Sequence, residues 1–137
     1  MGNLLIQDAR MPGNGKVDKV LVVDDDVKIL RFVRMSLRLS GYQVITTTSG
    51  EESLELIQSE KPDLLVLDIF MPGIDGFEVL RRLRTVSELP VIMMSSHSSA
   101  SGQGLSLGAS NFLAKPFRPY ELVQRITALL NHRNTTN

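Results

Sequence analysis

Five residues with the potential for chemistry stand at the ends of short apolar runs: Asp24, Asp25, Asp68, Ser95 and Lys115. Clustered carboxylates raise one another's pKa, and a hard divalent cation such as Mg²⁺ keeps them ionised. A cation, an ammonium group and a hydroxyl together suit a phosphoryl group, whose phosphorus a carboxylate can attack. The five residues therefore predict metal-assisted transfer of a phosphoryl group to a carboxylate.

The apolar runs indicate strands buried on both faces, as in a parallel sheet. They occupy residues 20–23, 42–48, 64–67, 91–94 and 111–114. Helical spacing is found at residues 27–39, 49–59, 77–84 and 118–131, with a further helix expected between residues 95 and 108. Asp26, Ser49 and Pro119 suit the starts of three of these helices. The pattern predicts an α/β fold, a doubly wound five-stranded parallel sheet with five helices.

The predicted fold decides which residues meet. In a doubly wound sheet, ligands bind outside the carboxyl ends of the strands, where the winding reverses. The five residues would lie along that edge, and Asp68 would be in its middle, so we predict Asp68 as the phosphoryl acceptor. The alternatives are a simple turn and helix cap at residues 24–26 and an ordinary surface lysine at Lys115.

Length and composition exclude several functional classes. The chain has 137 residues, 42% hydrophobic and 22% charged, as is typical of one globular domain. A formal net charge of zero disfavours a nucleic-acid binder or a polybasic membrane anchor. Absence of cysteine excludes disulfides, thiolate metal sites and cysteine nucleophiles. The sequence has neither an apolar run of membrane-spanning length nor a secretory leader, so we expect a cytoplasmic protein.

Four stretches match the pattern of a known family: VVDDD at residues 22–26, DIFMPG at 68–73, PVIMMS at 90–95 and FLAKPF at 112–117. Asp75-Gly76 and Gly108-Ala109 also match. In this order, the stretches resemble the receiver domain of two-component response regulators over about residues 19–130. The resemblance implies a flavodoxin-like receiver domain at residues 19–131. We expect a flexible N-terminal extension at residues 1–18 and a C-terminal tail at residues 132–137.

The resemblance implies a role for each acid. Asp68 would be the phosphoacceptor and a metal ligand. Asp25 would bind Mg²⁺ (or Mn²⁺) directly, and Asp24 would do so directly or through water. The backbone carbonyl of Phe70 would complete the protein ligands.

The resemblance also implies residues that bind the phosphoryl group and respond to it. Ser95 would supply the hydroxyl that moves to a phosphoryl oxygen, although several serines follow it. Lys115 would pair with the phosphoryl group, and Lys115–Pro116 would be a cis peptide bond. Phe112 would be the aromatic switch residue, although its position also suits an ordinary core aromatic.

One segment departs from the family. The stretch from Ser95 to Gly108 is short and contains Gly102 and Gly104, which disfavour a helix. We therefore predict that the fourth helix is short, displaced or partly unwound. Rapid amide exchange is expected there in the unphosphorylated state.

The implied function is a phosphorylation-dependent switch. A sensor histidine kinase or a histidine phosphotransfer protein would phosphorylate Asp68, and the resulting change would regulate a partner or an output domain. A homodimer on activation is a further expectation. We expect no direct binding of nucleic acid or membrane, and no enzymatic activity beyond the domain's own phosphotransfer and dephosphorylation. A stand-alone regulator and part of a longer protein both fit this length.

Two alternative functions are weighed against the switch. A pseudo-receiver would bind a partner without phosphorylation, which the unusual fourth helix favours and the full set of acids disfavours. A haloacid-dehalogenase-like phosphohydrolase would use the pair Asp24 and Asp26. It also needs acids after the lysine, where the sequence offers Glu121 alone.

Two other features are expected to be solvent-exposed. His97 is predicted to be a loop histidine and not a ligand. Lys28, Arg31, Arg34 and Arg38 form a basic stripe on the first helix. A solvated surface is favoured for this stripe over docking of an acidic partner.

Overall fold

The computed structural model of the chain describes residues 16–135, so residues 1–15 of the predicted extension and residues 136–137 lie outside the described part. The strands are β1 (Lys19–Val23), β2 (Gln43–Thr47), β3 (Leu64–Asp68), β4 (Val91–Ser95) and β5 (Asn111–Ala114). The helices are α1 (Val27–Leu39), α2 (Gly50–Glu60), α3 (Gly76–Arg84), α4 (Ser101–Ser106) and α5 (Pro119–Thr135), and a 3-10 turn at Ser98–Ala100 precedes α4.

The strands form a parallel sheet in the order β2-β1-β3-β4-β5. The chain runs from β1 outward to β2, returns to β3 on the other side of β1, and continues outward to β5. The winding therefore reverses between β1 and β3, where Val23 lies opposite Leu67. The predicted doubly wound fold is confirmed. The residues that follow Val23 and Leu67 emerge side by side.

Two apolar clusters, one on each face of the sheet, form the core. Residues of α1 and α5 cover one face, and residues of α2 and α3 cover the other. Val20 and Val22 point to the first cluster and Leu21 and Val23 to the second, because successive strand side chains alternate between faces. All four side chains are fully buried. The acids that follow β1 therefore extend from a rigid strand.

The predicted helix starts are present. The carboxylate of Asp26 accepts a hydrogen bond from the Lys28 amide at 2.9 Å, which caps α1. The hydroxyl of Ser49 caps α2, and α5 begins at Pro119. However, α5 extends at least to Thr135, the last described residue, and so passes the predicted end at Asn131. No glycine or proline interrupts the chain after Asn131, so the helix continues into the predicted tail.

The end of the predicted extension contacts the domain. Lys16 Nζ lies 2.7 Å from Asp63 Oδ1, and the Asp18 carbonyl accepts a hydrogen bond from the Gln43 amide at 3.0 Å. Residues 16–18 are thereby bonded to the amino-terminal end of the sheet, which is opposite the end where the acids emerge.

The predicted short fourth helix is also present. α4 has 6 residues, against 13 in α1. Ala100 precedes it and has no polar side chain with which to cap the first turn. α4 packs on β4 through Gly104, where a Cβ atom would lie 2.9 Å from Met93 Sδ. Among the described residues, no helix combines the length and apolar character that a membrane crossing requires.

Candidate functional site

Three acids meet where the winding of the sheet reverses. Carboxylate oxygens of Asp24, Asp25 and Asp68 lie within 4.8 Å of one another. Asp24 is fully buried, Asp68 is 5% exposed, and Asp25 faces solvent. β1 and β3 are neighbours in the sheet, so their carboxyl ends bring together acids that are far apart in sequence.

Lys115 completes this cluster from the end of β5. Its Nζ atom lies 2.7 Å from Asp24 Oδ2 and 3.0 Å from Asp68 Oδ1. The other oxygen of Asp24, Oδ1, accepts a hydrogen bond from the Asp26 amide at 2.9 Å. Both oxygens of Asp24 are therefore engaged, and its carboxylate is held in one orientation.

The cluster perturbs the ionisation of its members. Burial raises the pKa of Asp68 to about 6, and the charge of Asp24 adds to the rise, while the hydrogen bond from Lys115 opposes it. Burial lowers the pKa of Lys115, but its hydrogen bonds to Asp24 and Asp68 outweigh burial and leave that pKa above its ordinary value. One ammonium group thus fails to balance the three carboxylates. Closely spaced oxygen ligands with excess negative charge fit a hard divalent cation.

A cavity of about 290 Å³ opens over these groups. It is lined by Asp24, Asp25, Asp26, Ile29, Asp68, Phe70, Ser95, Ser96, His97 and Lys115. The structure therefore brings the five strand-end residues and Phe70 to one place. Phe112 is not part of this lining; it packs, partly buried, against the apolar cluster under α2 and α3.

Ser95 occupies the end of β4 with 1% of its surface exposed. Its Oγ atom accepts a hydrogen bond from the backbone amide of His97 at 2.9 Å. This contact uses an oxygen lone pair and leaves the hydroxyl hydrogen available for donation. Among the serines that follow β4, Ser96 also lines the cavity.

The loop after Asp68 is held by a close approach between the backbone of Gly76 and that of Asp68 and Ile69. The Gly76 amide donates a hydrogen bond to the Ile69 carbonyl at 2.7 Å. A Cβ atom on Gly76 would lie 2.4 Å from the Asp68 carbonyl oxygen, a distance that real Cβ atoms do not adopt. Glycine is therefore required here to fold this loop back and to present Phe70 at the cavity. After β5, the Lys115–Pro116 peptide bond is cis.

His97 is the member of the site that the sequence interpretation missed. Its side chain is exposed, as predicted, but it lines the cavity and lies against Phe70 with a ring-centroid distance of 4.8 Å. Its position in the sequence could have indicated this role. His97 lies two residues after Ser95, just as Phe70 lies two residues after Asp68.

The family of the chain follows from direct comparison with known proteins. A family model described as the response regulator receiver domain matches residues 20–127. The chain belongs to this family. This receiver domain is similar to "Probable transcriptional regulator ycf27" of Cyanophora paradoxa, with 44% identity over 87% of this chain and 50% of the relative. It is 42% identical to the alkaline phosphatase synthesis transcriptional regulatory protein PhoP of Bacillus subtilis, over 82% of this chain and 48% of the relative.

Solved structures agree with the family assignment. The receiver domain of the Francisella response regulator 1452 matches with a TM-score of 0.80 and 34% identity, over 85% of this chain and 98% of that chain. A CheY-like receiver domain protein from Methanospirillum hungatei matches with a TM-score of 0.83 and 27% identity, over 89% and 100% of the two chains.

These comparisons establish a regulatory domain of two-component signalling. They favour the receiver interpretation over the phosphohydrolase alternative. The receiver domain spans about half the length of the curated relatives it matches, which are named as transcriptional regulators.

Proposed function

We propose that this receiver domain is a phosphorylation switch whose acceptor is Asp68. The observation that supports the proposal is the position of Lys115 Nζ, 3.0 Å from Asp68 Oδ1 and 2.7 Å from Asp24 Oδ2, beside three grouped carboxylates. The acceptor carboxylate thus has a fixed positive charge on one side and oxygen ligands for a cation on the other. Such an arrangement stabilises charge on a phosphoryl group in transfer.

The carboxylates of Asp24, Asp25 and Asp68 and the backbone carbonyl of Phe70 would hold Mg²⁺ or Mn²⁺. When bound, the cation supplies positive charge to the phosphoryl oxygens. Asp24 suits the role of ligand because its orientation is fixed by Lys115 and the Asp26 amide. Asp25, which is exposed, suits a cation that retains water molecules.

In the proposed transfer, an oxygen of Asp68 forms a bond to phosphorus while the bond from phosphorus to the donor's histidine nitrogen breaks. Lys115 would exchange its hydrogen bond to Asp68 for one to a phosphoryl oxygen. The Ser95 hydroxyl would donate a second hydrogen bond. Movement of Ser95 and the partly buried Phe112 would then carry the signal to the segment around α4 and β5.

The proposed donor is a sensor histidine kinase or a histidine phosphotransfer protein. A groove of about 380 Å³ adjoins the acidic cavity, lined by Ile29, Phe32, Ser96, Lys115, Pro116 and Phe117. Its wall is mainly apolar, and Phe32 is 50% exposed. The neighbouring surface of α1 carries basic residues and no acid. A donor helix with apolar and acidic residues would fit this surface, while repulsion between basic stripes disfavours a second copy there.

The output is proposed from the relatives. PhoP of Bacillus subtilis is named as a transcriptional regulatory protein. We therefore propose that this receiver domain acts in the cytoplasm and controls an output domain or partner, with homodimerisation on activation.

Phosphorylation with a small acyl phosphate and Mg²⁺ tests the proposal. Intact-mass analysis is expected to show one base-labile phosphoryl group on the wild-type protein. Asp68→Asn should abolish the adduct, because an amide cannot serve as the nucleophile. Glu55→Gln, a change of an exposed acid on α2, should leave it unchanged. An unmodified wild-type protein would favour the pseudo-receiver alternative, and an adduct that persists in Asp68→Asn would reject Asp68 as the acceptor.

A further inference from the structure

The strand β2 forms one edge of the sheet, and among residues 16–135 no other strand pairs with its outer side. Its sequence, Gln-Val-Ile-Thr-Thr, contains neither a charged residue nor proline. Charged residues and proline are the means by which proteins commonly protect a free edge against pairing with a further strand. The outer edge of β2 is therefore open to an added strand.

The backbone of β2 presents hydrogen-bonding groups on that outer side. In a parallel pair, alternate residues of a strand direct their amide and carbonyl groups to the neighbouring strand. The Gln43 amide donates to the Asp18 carbonyl at 3.0 Å, and the Thr47 carbonyl accepts a hydrogen bond from the chain that continues β1. Gln43 and Thr47 therefore face β1, while the amides and carbonyls of Val44 and Thr46 face outward.

A groove of about 350 Å³ lies beside this edge. Val44 and Ile45, both partly buried, supply apolar surface to it. Its charged residues are Lys19 and Glu60, which pair with each other at 3.3 Å, and Arg38, which is exposed in the last turn of α1. Within the described part of the chain, Arg38 has no acidic partner. The groove thus offers apolar contacts and an unpaired positive charge to an extended segment.

Residues 3–8 have the composition of a strand that fits such a groove. They read Asn-Leu-Leu-Ile-Gln-Asp, which is three consecutive apolar residues followed closely by an acid. In an extended chain Leu4, Ile6 and Asp8 share one face, because successive side chains alternate between faces. An extended segment would therefore present two apolar side chains and a negative charge on the same side.

This pattern matches the α1 side of the β2 edge. Val44 packs against the core cluster that α1 covers, and Arg38 belongs to α1. With Ile6 beside Val44, Asp8 would lie on the side of Arg38. A second copy of β2 offers no acid for Arg38, since that strand is uncharged. Charge complementarity therefore favours residues 3–8 over a second copy as the occupant of the edge.

The connection to the domain is long enough for this placement. β2 lies next to β1, so a strand outside β2 would be about 10 Å from β1. Residues 9–15 can extend over about 20 Å, and Pro12-Gly13 provides turn residues that can reverse the chain. Lys16 is bonded to Asp63 at the amino-terminal end of the sheet, where β1 begins. A preceding strand along β2 would therefore run antiparallel to it.

We propose that residues 3–8 dock on the outer edge of β2 as a sixth strand, antiparallel to β2, with Asp8 paired to Arg38. The link through Lys16 makes this docking intramolecular, which gives an effective concentration on the order of millimolar. The added strand would close the edge against pairing with other chains. This docking does not depend on phosphorylation of Asp68.

Amide hydrogen exchange of the full chain, followed residue by residue by NMR, tests the docking. The outward amides of Val44 and Thr46 should exchange at least about tenfold more slowly in the wild type than in the double variant Leu4→Ser with Ile6→Ser, which removes the apolar contacts. Met11→Ser removes an apolar side chain outside the proposed strand and should leave both amides protected. Rapid exchange of both amides in the wild type, or equal protection in the double variant, would overturn the docking.

A double-mutant cycle on the same two amides tests the charge pair. Asp8→Asn and Arg38→Gln are each expected to speed exchange by about two- to fivefold, and the two together no more than either alone. Arg31→Gln, a change outside the groove, should have no effect. Additive effects would reject the pairing of Asp8 with Arg38. Protection that rises with protein concentration, together with a dimer in sedimentation, would show a second copy at the edge and would overturn the proposed occupant.

Discussion

The two halves of the sheet hold their site residues in different ways. The half that carries the acids consists of β1 and β3. The helix α1 has an N-cap and packs against the sheet through the buried side chains of Leu30, Val33 and Leu37. The other half connects β4 to β5 through α4, which buries Gly104. Its loop is held at the far end by Arg84, whose Nε and Nη2 atoms donate to the Gly108 carbonyl at 3.0 and 2.8 Å.

This difference suggests which half is suited to change. The acids need fixed positions, because ligand geometry determines the affinity of a metal site. The segment after Ser95 has little buried apolar surface, so it can rearrange at low free-energy cost. A switch built in this way would keep its carboxylates in the rigid half and its response in the lightly packed half. The following variants test that division, from the largest expected effect to the smallest.

Gly76→Ala should cause the largest loss of stability. Its Cβ atom would lie 2.4 Å from the Asp68 carbonyl oxygen and 2.8 Å from the Ile69 Cα atom, and neither backbone atom can move aside cheaply. We expect the free energy of unfolding in urea to fall by about 3 kcal/mol or more. A loss below about 1 kcal/mol would show that the backbone around Asp68 can adjust, and the acid-bearing half would then not be the rigid half of the sheet.

The rigid half also contains electrostatic strain, which Asp68→Asn should relieve. The folded protein raises the pKa of Asp68 from 3.8 to about 6, so it binds the proton more tightly than the unfolded chain does. The wild-type, metal-free protein should therefore lose stability as pH rises from about 4 through about 6, and the variant should not. At about pH 8 the variant is expected to be more stable by about 1 to 3 kcal/mol.

Urea unfolding at several pH values, with Glu55→Gln as control, checks this effect. The two proteins should converge below about pH 3, where the carboxyl group is protonated in both states of the wild type. Saturating Mg²⁺ should reduce or reverse the difference, since the proposed metal site would bind the cation through the ionised carboxylate. A stability difference between the two proteins that is independent of pH would contradict the raised pKa of Asp68 in the folded protein.

Local sequence patterns predicted much of this molecule. Three local signals were sufficient for their elements. The apolar runs predicted the five strands, Asp26 predicted the start of α1, and Gly102 and Gly104 predicted a short α4. The grouping of Asp68 with Lys115 followed from strand order, which is a rule about topology. In contrast, the contact between Phe70 and His97 depends on how two loops pack, and no local pattern encodes it. The extension of α5 beyond Asn131 was also missed, because the residues that follow contain no helix breaker from which a boundary could be placed.

Gly102→Ala is expected to have the smallest effect, and amide hydrogen exchange measures it. A Cβ atom at position 102 would meet nothing within 4 Å, and alanine favours a helix by up to about 1 kcal/mol over glycine. We expect amides of residues 98–108 to exchange much faster than those of α1 in the wild type, and to slow by about two- to fivefold in the variant. Exchange in β1 and β3 should stay the same, because the added stability acts on local opening alone. Equal slowing in α1 and α4 would mean that both open together, and the two halves would then be one cooperative unit.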